Sequence, residues 1–390
     1  MIKRLLKTDW LFTGIDAPIQ EGMIAIDEHN IIADVGFDLE VDGLEPEYYK
    51  GALCPAFVNA HCHLELSHLK GKISEGKQLH NFIQEVQKER TASEDEIQAA
   101  ILKADKQMLL NGTIAVGDIS NGINTLQQKK KSKMHYHTFV ELFAFDPEQA
   151  ERSFNHGKAI REKFAKEGLP ASIVPHSPYS VSEKLFTAIG DENEGPVCIH
   201  NQETEAENTL YQIKEGTLAE MLKGFGLPIE QFKVSHQNSL PSYLPFLKSI
   251  KPLQLVHNTF TSKEDIQFVE EMHSALYWCF CPGANQYIER RLPNIPQFIE
   301  ADVKCTLGTD SLASNYTLSI LEEMKCIQKA YPAITLETMM PWATINGAEF
   351  LGIDNELGSI ELGKKAHFVA ISHLNGHGLS QESVVKPVFA

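Results

Sequence analysis

The sequence predicts an α/β fold, a (β/α)8 TIM barrel over residues 55–352 with a small composite β-sandwich domain built from residues 1–54 and 353–390. The middle of the chain alternates short apolar runs with helix-length segments, as parallel strands and their crossovers do. Both ends instead contain short β segments punctuated by glycine. The 390 residues are enough for a barrel of about 250 residues and a second, smaller domain.

Composition excludes several classes of partner. The chain has 35 Lys and Arg against 52 Asp and Glu, a net charge of −17, so it repels nucleic acid and anionic membrane surfaces. It has no uninterrupted apolar run long enough for a membrane span, and no signal-peptide pattern at its start. The seven cysteines fit reduced, buried thiols. These features predict a cytoplasmic protein with a small-molecule substrate, and a homodimer remains one option.

Eight runs predict the strands of the barrel. They are apolar, rich in β-branched or aromatic residues, and mostly separated by helix-length segments: AFVNAHCH, TIAVGD, HYHTFVEL, ASIVPHS, PVCIHNQE, LQLVHN, ALYWCFCP and VKCTLGTD. Between the first two, Ser93 and Glu96 form a capping-box pattern that predicts a helix start, and Gly112 ends that helix. The lysine cluster at 129–133 (KKKSK) predicts a solvated loop before the third strand.

The two termini predict one domain. Residues 22–36 contain two apolar stretches joined by a polar segment, a hairpin pattern. Near the other end, a glycine-punctuated turn precedes a strand from His367 to Ile371. Because both ends have the same β character around a different middle, we expect them to assemble together.

Polar side chains of metal-binding type stand at the carboxyl ends of the predicted strands. In a barrel these ends converge on one face, where catalytic residues are found. His61 and His63 share a side of an extended segment because residues i and i+2 point the same way. Four more such residues end other runs or directly follow them: His200, Glu203, His257 and Asp310.

Buried imidazoles and carboxylates need partners, and a shared cation supplies one, so these residues predict a metal site. Three imidazoles and one carboxylate suit Zn²⁺ or Fe²⁺ with a water, whose pKa the metal would lower toward neutrality. The fourth strand ends in Pro175 and His176 and offers no lysine for a bridging carbamate. We therefore expect one divalent metal ion per chain, with zinc preferred and iron as the alternative.

Seven motifs together resemble the amidohydrolase superfamily, in particular its mononuclear deaminase branch, which includes adenosylhomocysteine, aminofutalosine and guanine deaminases and related chlorohydrolases. They run through nearly the whole barrel: PAFVNAHCHLE, PHSPYSVS, IHNQET, LVHN, CPGANQYIERRLP, LGTDSLASN and ATINGAEFLG. The opening motif, with Glu65 and Ser67 in HCHLELS, is most similar to aminofutalosine deaminases. The flanking β segments match the small composite sandwich of that branch.

The resemblance implies roles for individual residues. The predicted metal ligands are His61, His63, His200 and Asp310. Glu203, in an H-x-x-E pattern, resembles the group that passes a proton to the substrate ring, and His257 resembles the histidine that orients the water. The predicted catalytic residues are therefore Glu203, His257 and Asp310. An amidine carbon attacked by hydroxide also needs an acid for its ring nitrogen and a base for the water.

Substrate contacts are predicted at Glu65 and His176. His176 resembles a family histidine that faces the substrate, and the alternative is a turn histidine. Glu65 would pair with a ring N–H or a ribose hydroxyl, and its alternative is a structural salt bridge. Arg290 and Arg291 would meet a substrate carboxylate or form an exposed helix-start pair, and Asn315 is interpreted as structural.

Two departures from the family pattern leave this chemistry unchanged. The usual N-P-x-S-N of the seventh strand is replaced by the run from Cys281 to Asn285, which removes a serine contact with substrate. In the tail, His367 stands where the pattern has aspartate.

These features predict a metal-dependent hydrolytic deaminase of an aminated N-heterocycle, such as an adenine-type nucleoside, that releases ammonia. A second hypothesis is hydrolysis of a ring halide or a cyclic amide by the same metal hydroxide. The third is a catalytically silent scaffold, which would have no need to retain Glu203, His257 and Asp310.

Overall fold

The computed structural model describes residues 1–192, 195–376 and 378–389, so residues 377 and 390 of the predicted terminal domain lie outside the described part. The strands of the described chain are β1 (Ile2–Leu11), β2 (Ile19–Gln20), β3 (Met23–Asp27), β4 (Ile32–Gly36), β5 (Glu47–Pro55), β6 (Phe57–Cys62), β7 (Thr113–Ser120), β8 (His135–Leu142), β9 (Ala171–Pro175), β10 (Val197–Asn201), β11 (Leu253–His257), β12 (Leu276–Phe280), β13 (Cys305–Leu307), β14 (His367–Ser372) and β15 (Val384–Phe389).

Helices separate the strands of the middle region, and two or three of them follow several strands. They are α1 (Gln78–Glu89), α2 (Glu94–Leu110), α3 (Leu126–Lys131), α4 (Ala150–Lys166), α5 (Glu183–Glu192), α6 (Glu205–Ile213), α7 (Thr217–Gly224), α8 (Ser239–Leu247), α9 (Lys263–Met272), α10 (Pro282–Glu289), α11 (Ile295–Glu300), α12 (Ile320–Ala330), α13 (Leu336–Ala343) and α14 (Ile345–Leu351). None of the helices in the described residues is both long and apolar enough to cross a membrane.

The eight predicted strand runs each contain a strand of the middle region. Strands β6 to β9 form one parallel four-stranded sheet, and β10 to β13 form a second one. Their residues are buried almost throughout, as expected for parallel strands covered by helices. The main hydrophobic core includes residues of both sheets and of the surrounding helices, for example Phe139, Phe280 and Met324.

Backbone hydrogen bonds join the two sheets along both of their edges. On one side His200 N donates to the carbonyl oxygen of His176, 3.0 Å away. On the other side the amides of Thr309 and Asp310 both donate to the carbonyl oxygen of His61, at 3.0 and 3.1 Å. Gly308 allows this approach, because a Cβ at that position would lie 2.8 Å from His61 Cβ. These bonds lie at the carboxyl ends of the strands and bring the polar residues there together.

Strands from both termini form one mixed sheet of seven strands, in the order β15-β14-β5-β1-β3-β4, with β2 paired to β1. The predicted hairpin is present as the antiparallel pair β3 and β4, where Asp27 Oδ1 accepts hydrogen bonds from two backbone amides of the turn. C-terminal β14 pairs with N-terminal β5. A separate apolar cluster includes Leu6, Ile24, Leu53 and Phe368, so both ends of the chain contribute to one core.

The interpretation of the cluster at 129–133 as a loop is wrong for Lys129, Lys130 and Lys131, which lie in helix α3, and its interpretation as solvated is wrong for Lys129. Lys129 lies in helix α3 and is only 2% exposed. Its Nζ is 2.6 Å from Asp118 Oδ2 and also donates to Thr138 Oγ1 at 3.0 Å. In helix α3 the side chain of Lys129 points into the interior, whereas the other lysines of the cluster are exposed. A buried Asp118 at the end of β7 needs a cation, and Lys129 supplies it.

The predicted helix start after Ser93 is confirmed. Ser93 precedes α2, and its Oγ accepts the amide hydrogen of Glu96 at 3.2 Å. The Glu96 side chain instead pairs with Lys72, with 2.7 Å between Nζ and Oε1. The cap satisfies one of the amides that the first helical turn leaves without an intrahelical partner.

Candidate metal centre and active site

The first strand of the middle region presents two histidines to the same space. His61 lies at the end of β6 and His63 directly follows it, and both are buried. Their Nε2 atoms are 3.2 Å apart. Because residues i and i+2 of an extended segment share a face, this closeness follows directly from the sequence H-C-H.

Side chains from distant strands join this pair. His63 Nε2 lies 3.3 Å from the Nε2 of His200, which is in β10, and 3.3 Å from Oδ1 of Asp310, which follows β13. His61 Nε2 is 3.7 Å from the same Asp310 oxygen. His257, at the end of β11, offers a ligand atom within 4.8 Å of those of His61, His200 and Asp310. The structure thus brings together every predicted ligand and adds a fourth imidazole.

The protonation states suit a cation. Burial lowers the pKa of His63 and of His200 to about 4, so both imidazoles are neutral near pH 7. For Asp310, burial raises the pKa, but the hydrogen bond with His61 and the charges of the surrounding histidines outweigh it and hold the pKa well below its usual value. The cluster therefore combines neutral nitrogen donors with one carboxylate anion.

The spacing of the donors also fits zinc. A tetrahedral ion with zinc–nitrogen distances of about 2.0–2.1 Å holds its ligand atoms about 3.3 Å apart. The Nε2 atom of His63 is 3.2 Å from His61 Nε2 and 3.3 Å from His200 Nε2. The same His63 nitrogen is also 3.3 Å from Asp310 Oδ1, and one N–H can donate well to only one of these three neighbours, so the arrangement suits a shared cation.

Surrounding residues hold the ligands in orientation. His200 Nδ1 donates to the carbonyl oxygen of His176 at 2.7 Å, which leaves Nε2 as the free acceptor facing His63. The Ser314 hydroxyl donates to Oδ2 of Asp310, so Oδ1 is the oxygen that faces the histidines. His257 and Asp310 have positive φ angles of 76° and 56°, an uncommon conformation for such residues that packing must maintain.

Glu203 lies beside this cluster just after β10. It is 5% exposed, and its Oε1 is 3.7 Å from His257 Nε2. Burial raises the pKa of Glu203 well above its usual value, and the charge of Asp310 adds to the effect. A carboxyl group whose pKa is raised keeps its proton to a higher pH, as an acid catalyst must.

A cavity opens above these groups. It is lined on its polar side by His63, Glu141, His176, His200, Glu203, His257 and Asp310 and on its apolar side by Leu66, Leu79, Phe82, Ile83, Val86, Phe143 and Tyr179. The His176 ring lies 4.3 Å from that of Phe143, measured between centroids. The cavity therefore combines polar atoms with an apolar wall against which a flat ring can pack.

A match to the family model described as "Amidohydrolase family" covers residues 52–389, well over half of the chain. The chain belongs to the amidohydrolase family. It is therefore a hydrolase that acts on carbon–nitrogen bonds other than peptide bonds, in a family that depends on metal ions.

Individual amidohydrolases with known activities resemble this chain over most of its length. A 5-methylthioadenosine/S-adenosylhomocysteine deaminase from Bacillus cereus is 27% identical over 92% of this chain and 82% of its own. The structure of Helicobacter pylori aminofutalosine deaminase in complex with methylthio-coformycin has a TM-score of 0.79, with 21% identity over 97% of this chain and 93% of its own. An adenosine deaminase from Xanthomonas campestris with bound zinc has a TM-score of 0.72, with 19% identity over 95% and 84% of the two chains.

The two predicted substrate residues of this amidohydrolase have different environments. His176 lines the cavity, and its Nδ1 is 2.7 Å from the Ser180 hydroxyl. Glu65 is buried nearby, and its Oε2 accepts the backbone amide hydrogen of Asn121 at 3.0 Å. Burial raises the pKa of Glu65 to about 7. The contact that the structure describes is thus an amide hydrogen bond rather than the salt bridge that was the alternative.

Arg290, Arg291 and Asn315, whose roles the sequence left open, lie away from the cavity lining. Arg290 pairs with Glu75 at 3.7 Å, and the Arg291 guanidinium lies 4.5 Å from the centre of the Phe260 ring. Asn315 Nδ2 donates to the carbonyl oxygen of Thr309 at 2.9 Å, which agrees with its structural interpretation.

Sequence reasoning gave no role to Glu141, Asn121 or Ser314 of this amidohydrolase. Glu141 and Asn121 line the cavity, and Ser314 contacts Asp310. The signal for Glu141 was present, because a charged residue ends the otherwise apolar run HYHTFVEL. Nothing in the sequence distinguishes Asn121 or Ser314 from ordinary loop residues.

Proposed function

We propose that this amidohydrolase hydrolytically deaminates an adenine-type ring and releases ammonia. The observation that carries the proposal is the buried Glu203 beside the His and Asp cluster, in a cavity with an aromatic wall. Its relatives with similar sequence or fold include deaminases of adenine nucleosides. Such a reaction needs an acid beside the electrophilic ring carbon and a nucleophile close to that carbon.

We assign one divalent metal ion to His61, His63, His200 and Asp310. Three neutral imidazoles and one carboxylate favour zinc, and the related adenosine deaminase from Xanthomonas campestris has bound zinc. When bound, such an ion lowers the pKa of a water molecule toward neutrality and so supplies hydroxide near pH 7.

The chain's own residues then move the protons. Glu203 donates its proton to the ring nitrogen next to the attacked carbon, which makes that carbon more electrophilic. Asp310 accepts a proton from the attacking water and returns it to the departing amino group. A carbon–oxygen bond forms, the exocyclic carbon–nitrogen bond breaks, and ammonia leaves. The proton of the new hydroxyl group returns to Glu203 as the ring carbonyl forms, which restores the acid. His257, whose Nε2 is 3.7 Å from Glu203 Oε1, orients the water and stabilises the charge that develops during its attack.

Substrate binding is assigned to the cavity walls. His176 faces the ring, while the side chains of Phe82, Phe143 and Tyr179 provide apolar contact with it. Glu65 does not line the cavity but accepts the amide hydrogen of Asn121, which does, and we assign its buried, unpartnered Oε1 in the described structure to a ring N–H or a hydroxyl of the substrate.

We also infer the domain division. The backbone hydrogen bonds along both sheet edges support one closed eight-stranded barrel over residues 55–352. The mixed sheet and its own apolar cluster support a composite terminal domain of residues 1–54 and 353–390.

An ammonia-release screen of the zinc-loaded protein tests the proposal. The panel contains aminopurines, their nucleosides, aminofutalosine, pterins and aminotriazines, with chlorotriazines assayed for chloride release. We expect ammonia from at least one adenine-type compound. Chloride release without ammonia from any compound would instead favour the ring-halide hydrolase, and zinc binding without turnover on the whole panel would favour the silent scaffold.

A further inference from the structure

Gln202 lies between the proposed ligand His200 and the proposed acid Glu203, and it has an uncommon backbone conformation. Its φ angle is 45°, in the left-handed region that glycine adopts most readily. The residue is fully buried, yet it is not among the described residues that line the active-site cavity. Conformations of this kind persist only where the surrounding structure maintains them, and they cluster at functional sites.

The side chain of Gln202 is hydrogen-bonded at both of its polar atoms. Nε2 donates to Asp265 Oδ2 at 2.9 Å and to Asn208 Oδ1 at 3.2 Å. Oε1 accepts a hydrogen bond from the Thr261 hydroxyl at 2.6 Å. Asp265 lies near the start of α9 and Asn208 lies in α6, and these helices follow β11 and β10. The side chain therefore connects the end of β10 to both helices.

The backbone of Gln202 is also hydrogen-bonded on both sides. Its amide donates to Glu207 Oε1 at 3.0 Å, and its carbonyl oxygen accepts the amide hydrogen of Phe260 at 2.9 Å. The second bond fixes the peptide group that joins Gln202 to Glu203. It also reaches the segment after β11, because Phe260 stands three positions after His257. The segments that contain Glu203 and His257 are therefore joined through Gln202.

The end of β11 has the same unusual backbone. His257 and Asn258 have φ angles of 76° and 59°. The Asn258 amide donates to the carbonyl oxygen of Asn201 at 3.0 Å, next to Gln202. A change of backbone angle at Gln202 would rotate the Glu203 side chain relative to His257. The distance of 3.7 Å between Glu203 Oε1 and His257 Nε2 therefore depends on the hydrogen bonds of Gln202.

We propose that Gln202 is a positioning residue, whose hydrogen bonds hold Glu203 in place relative to His257 and directed into the cavity. The inference rests on the proposed deaminase function and adds to it a residue that is assigned no contact with the substrate or the metal ion. The bonds to α6 and α9 maintain the left-handed backbone, and that backbone sets the direction of the acid.

Kinetics of Gln202→Met provide the first test. Methionine has a similar size but cannot form these hydrogen bonds, and a misplacement of about 1 Å can cost about 10²-fold in rate. On an adenine-type compound that the wild type deaminates, we expect kcat to fall about 10- to 100-fold, with KM changed less than about threefold. The protein should retain one equivalent of zinc. Loss of zinc, or an unchanged kcat, would overturn the inference.

The matched control is Gln297→Met. Gln297 is another buried glutamine, and its Nε2 donates to the carbonyl oxygen of Thr261 at 2.8 Å. It lies in α11 and does not flank Glu203. The control loses a comparable buried hydrogen bond, so it should lose stability but keep kcat near that of wild type. An equal fall of kcat in the two variants would show that Gln202 has no specific role.

A double variant separates positioning from general destabilisation. If Gln202 acts through Glu203, then Gln202→Met should change the residual rate of the Glu203→Gln protein by less than about twofold, because the positioned acid is already absent. A defect of the whole fold would lower the rate equally in both backgrounds, which would contradict the proposal. Gln202→Gly replaces the methionine variant if that variant does not fold, since glycine adopts the left-handed φ without strain but has no side chain to bind. It should show the same dependence on Glu203.

Crystal structures decide the question if no compound of the panel is deaminated. In the zinc-loaded Gln202 variant, the distance between Glu203 Oε1 and His257 Nε2 should differ from that of the wild type by roughly 1 Å. The ligands His63 and His200 should stay in place. This displacement in a protein without deaminase activity would support the positioning role and refute only the proposed reaction. An unchanged distance would refute the positioning role, whether or not the wild type is a deaminase.

Discussion

At the level of single residues, burial decides what each polar group of the site can do. Burial raises the pKa of Glu203 well above its usual value, yet the histidines around Asp310 hold the pKa of that carboxyl well below its own. The pKa values of the two carboxyl groups are therefore shifted in opposite directions within one cavity. A proton donor and an anionic base side by side are the arrangement that acid–base catalysis of a ring substitution requires.

Glu203→Gln should keep the metal and lose turnover. Glutamine has the size of glutamate but no transferable acid proton, and general acid–base assistance contributes about 10²–10⁴-fold. We expect kcat to fall by at least roughly 10², measured as ammonia release, with the zinc content unchanged. The control Glu205→Gln changes an exposed residue two positions later and should behave as wild type. Near wild-type turnover of the Glu203 variant would move the acid role elsewhere, with Glu65 as the first candidate.

His61→Asn should weaken metal binding itself. His61 is fully buried, its Nε2 lies 3.2 Å from that of His63, and asparagine offers no imidazole nitrogen at that point. Elemental analysis after dialysis against zinc should give well below one equivalent per chain. The exposed His156→Asn is the control and should retain one equivalent. A full equivalent in the His61 variant would remove this residue from the ligand set.

At the level of secondary-structure elements, β7 and α3 are connected by an ion pair in the interior. Lys129 and Asp118 are both essentially unexposed and lie 2.6 Å apart, and the Lys129 ammonium also lies 5.1 Å from the centre of the Phe164 ring. Burial raises the pKa of Asp118, while the charge of Lys129 opposes that rise. The Asp118 carboxylate in turn accepts the amide hydrogen of Leu64, next to the ligand His63, at 2.8 Å.

Lys129→Met should strongly destabilise the protein. The change leaves Asp118 as a buried carboxylate without its cation, which costs about 3–5 kcal/mol of the free energy of unfolding. Urea denaturation followed by circular dichroism measures this loss. The control Lys131→Met changes an exposed lysine of the same helix and should stay within about 0.5 kcal/mol of wild type. Equal stabilities of the two variants would show that the ion pair contributes little.

At the level of the whole molecule, the two ends of the chain and the two parallel sheets are each joined by long-range pairing. Strand β5 pairs with β14 from the other end of the sequence and is followed almost immediately by β6, which begins the middle region. The proposed metal ligands come from β6 and the residue after it, from β10 and from the segment after β13. A metal ion bound there would connect both parallel sheets.

Metal removal should therefore lower the stability of the entire protein. A ligand that binds only the folded state adds RT ln(1 + [L]/Kd), about 2.7 kcal/mol when its free concentration is a hundred times Kd. We expect the melting temperature to fall by several degrees after treatment with a chelator and to recover on addition of one equivalent of zinc. Calorimetry with and without zinc measures the shift. An unchanged melting temperature, or saturation only at two equivalents, would contradict a single structural and catalytic ion.

The sequence by itself predicted the eight parallel strands, the pairing of the two termini and the residues of the metal cluster. The reason is physical: strand periodicity is local, and polar residues at the ends of apolar runs must converge wherever parallel strands lie side by side. The spacing of His61 and His63 predicted that their side chains share a face, and their Nε2 atoms are 3.2 Å apart.

Only the tertiary structure decided which contacts each polar side chain makes. Lys129 looked like one of several solvated lysines until the fold placed it against Asp118, and the fold also brought His257 within 4.8 Å of the ligand atoms of His61, His200 and Asp310. Glu141 lies in β8 and Asn121 directly follows β7, and their hydrogen bond exists only because β7 and β8 are neighbours. Such contacts depend on distances between segments far apart in the chain, and no local pattern encodes them.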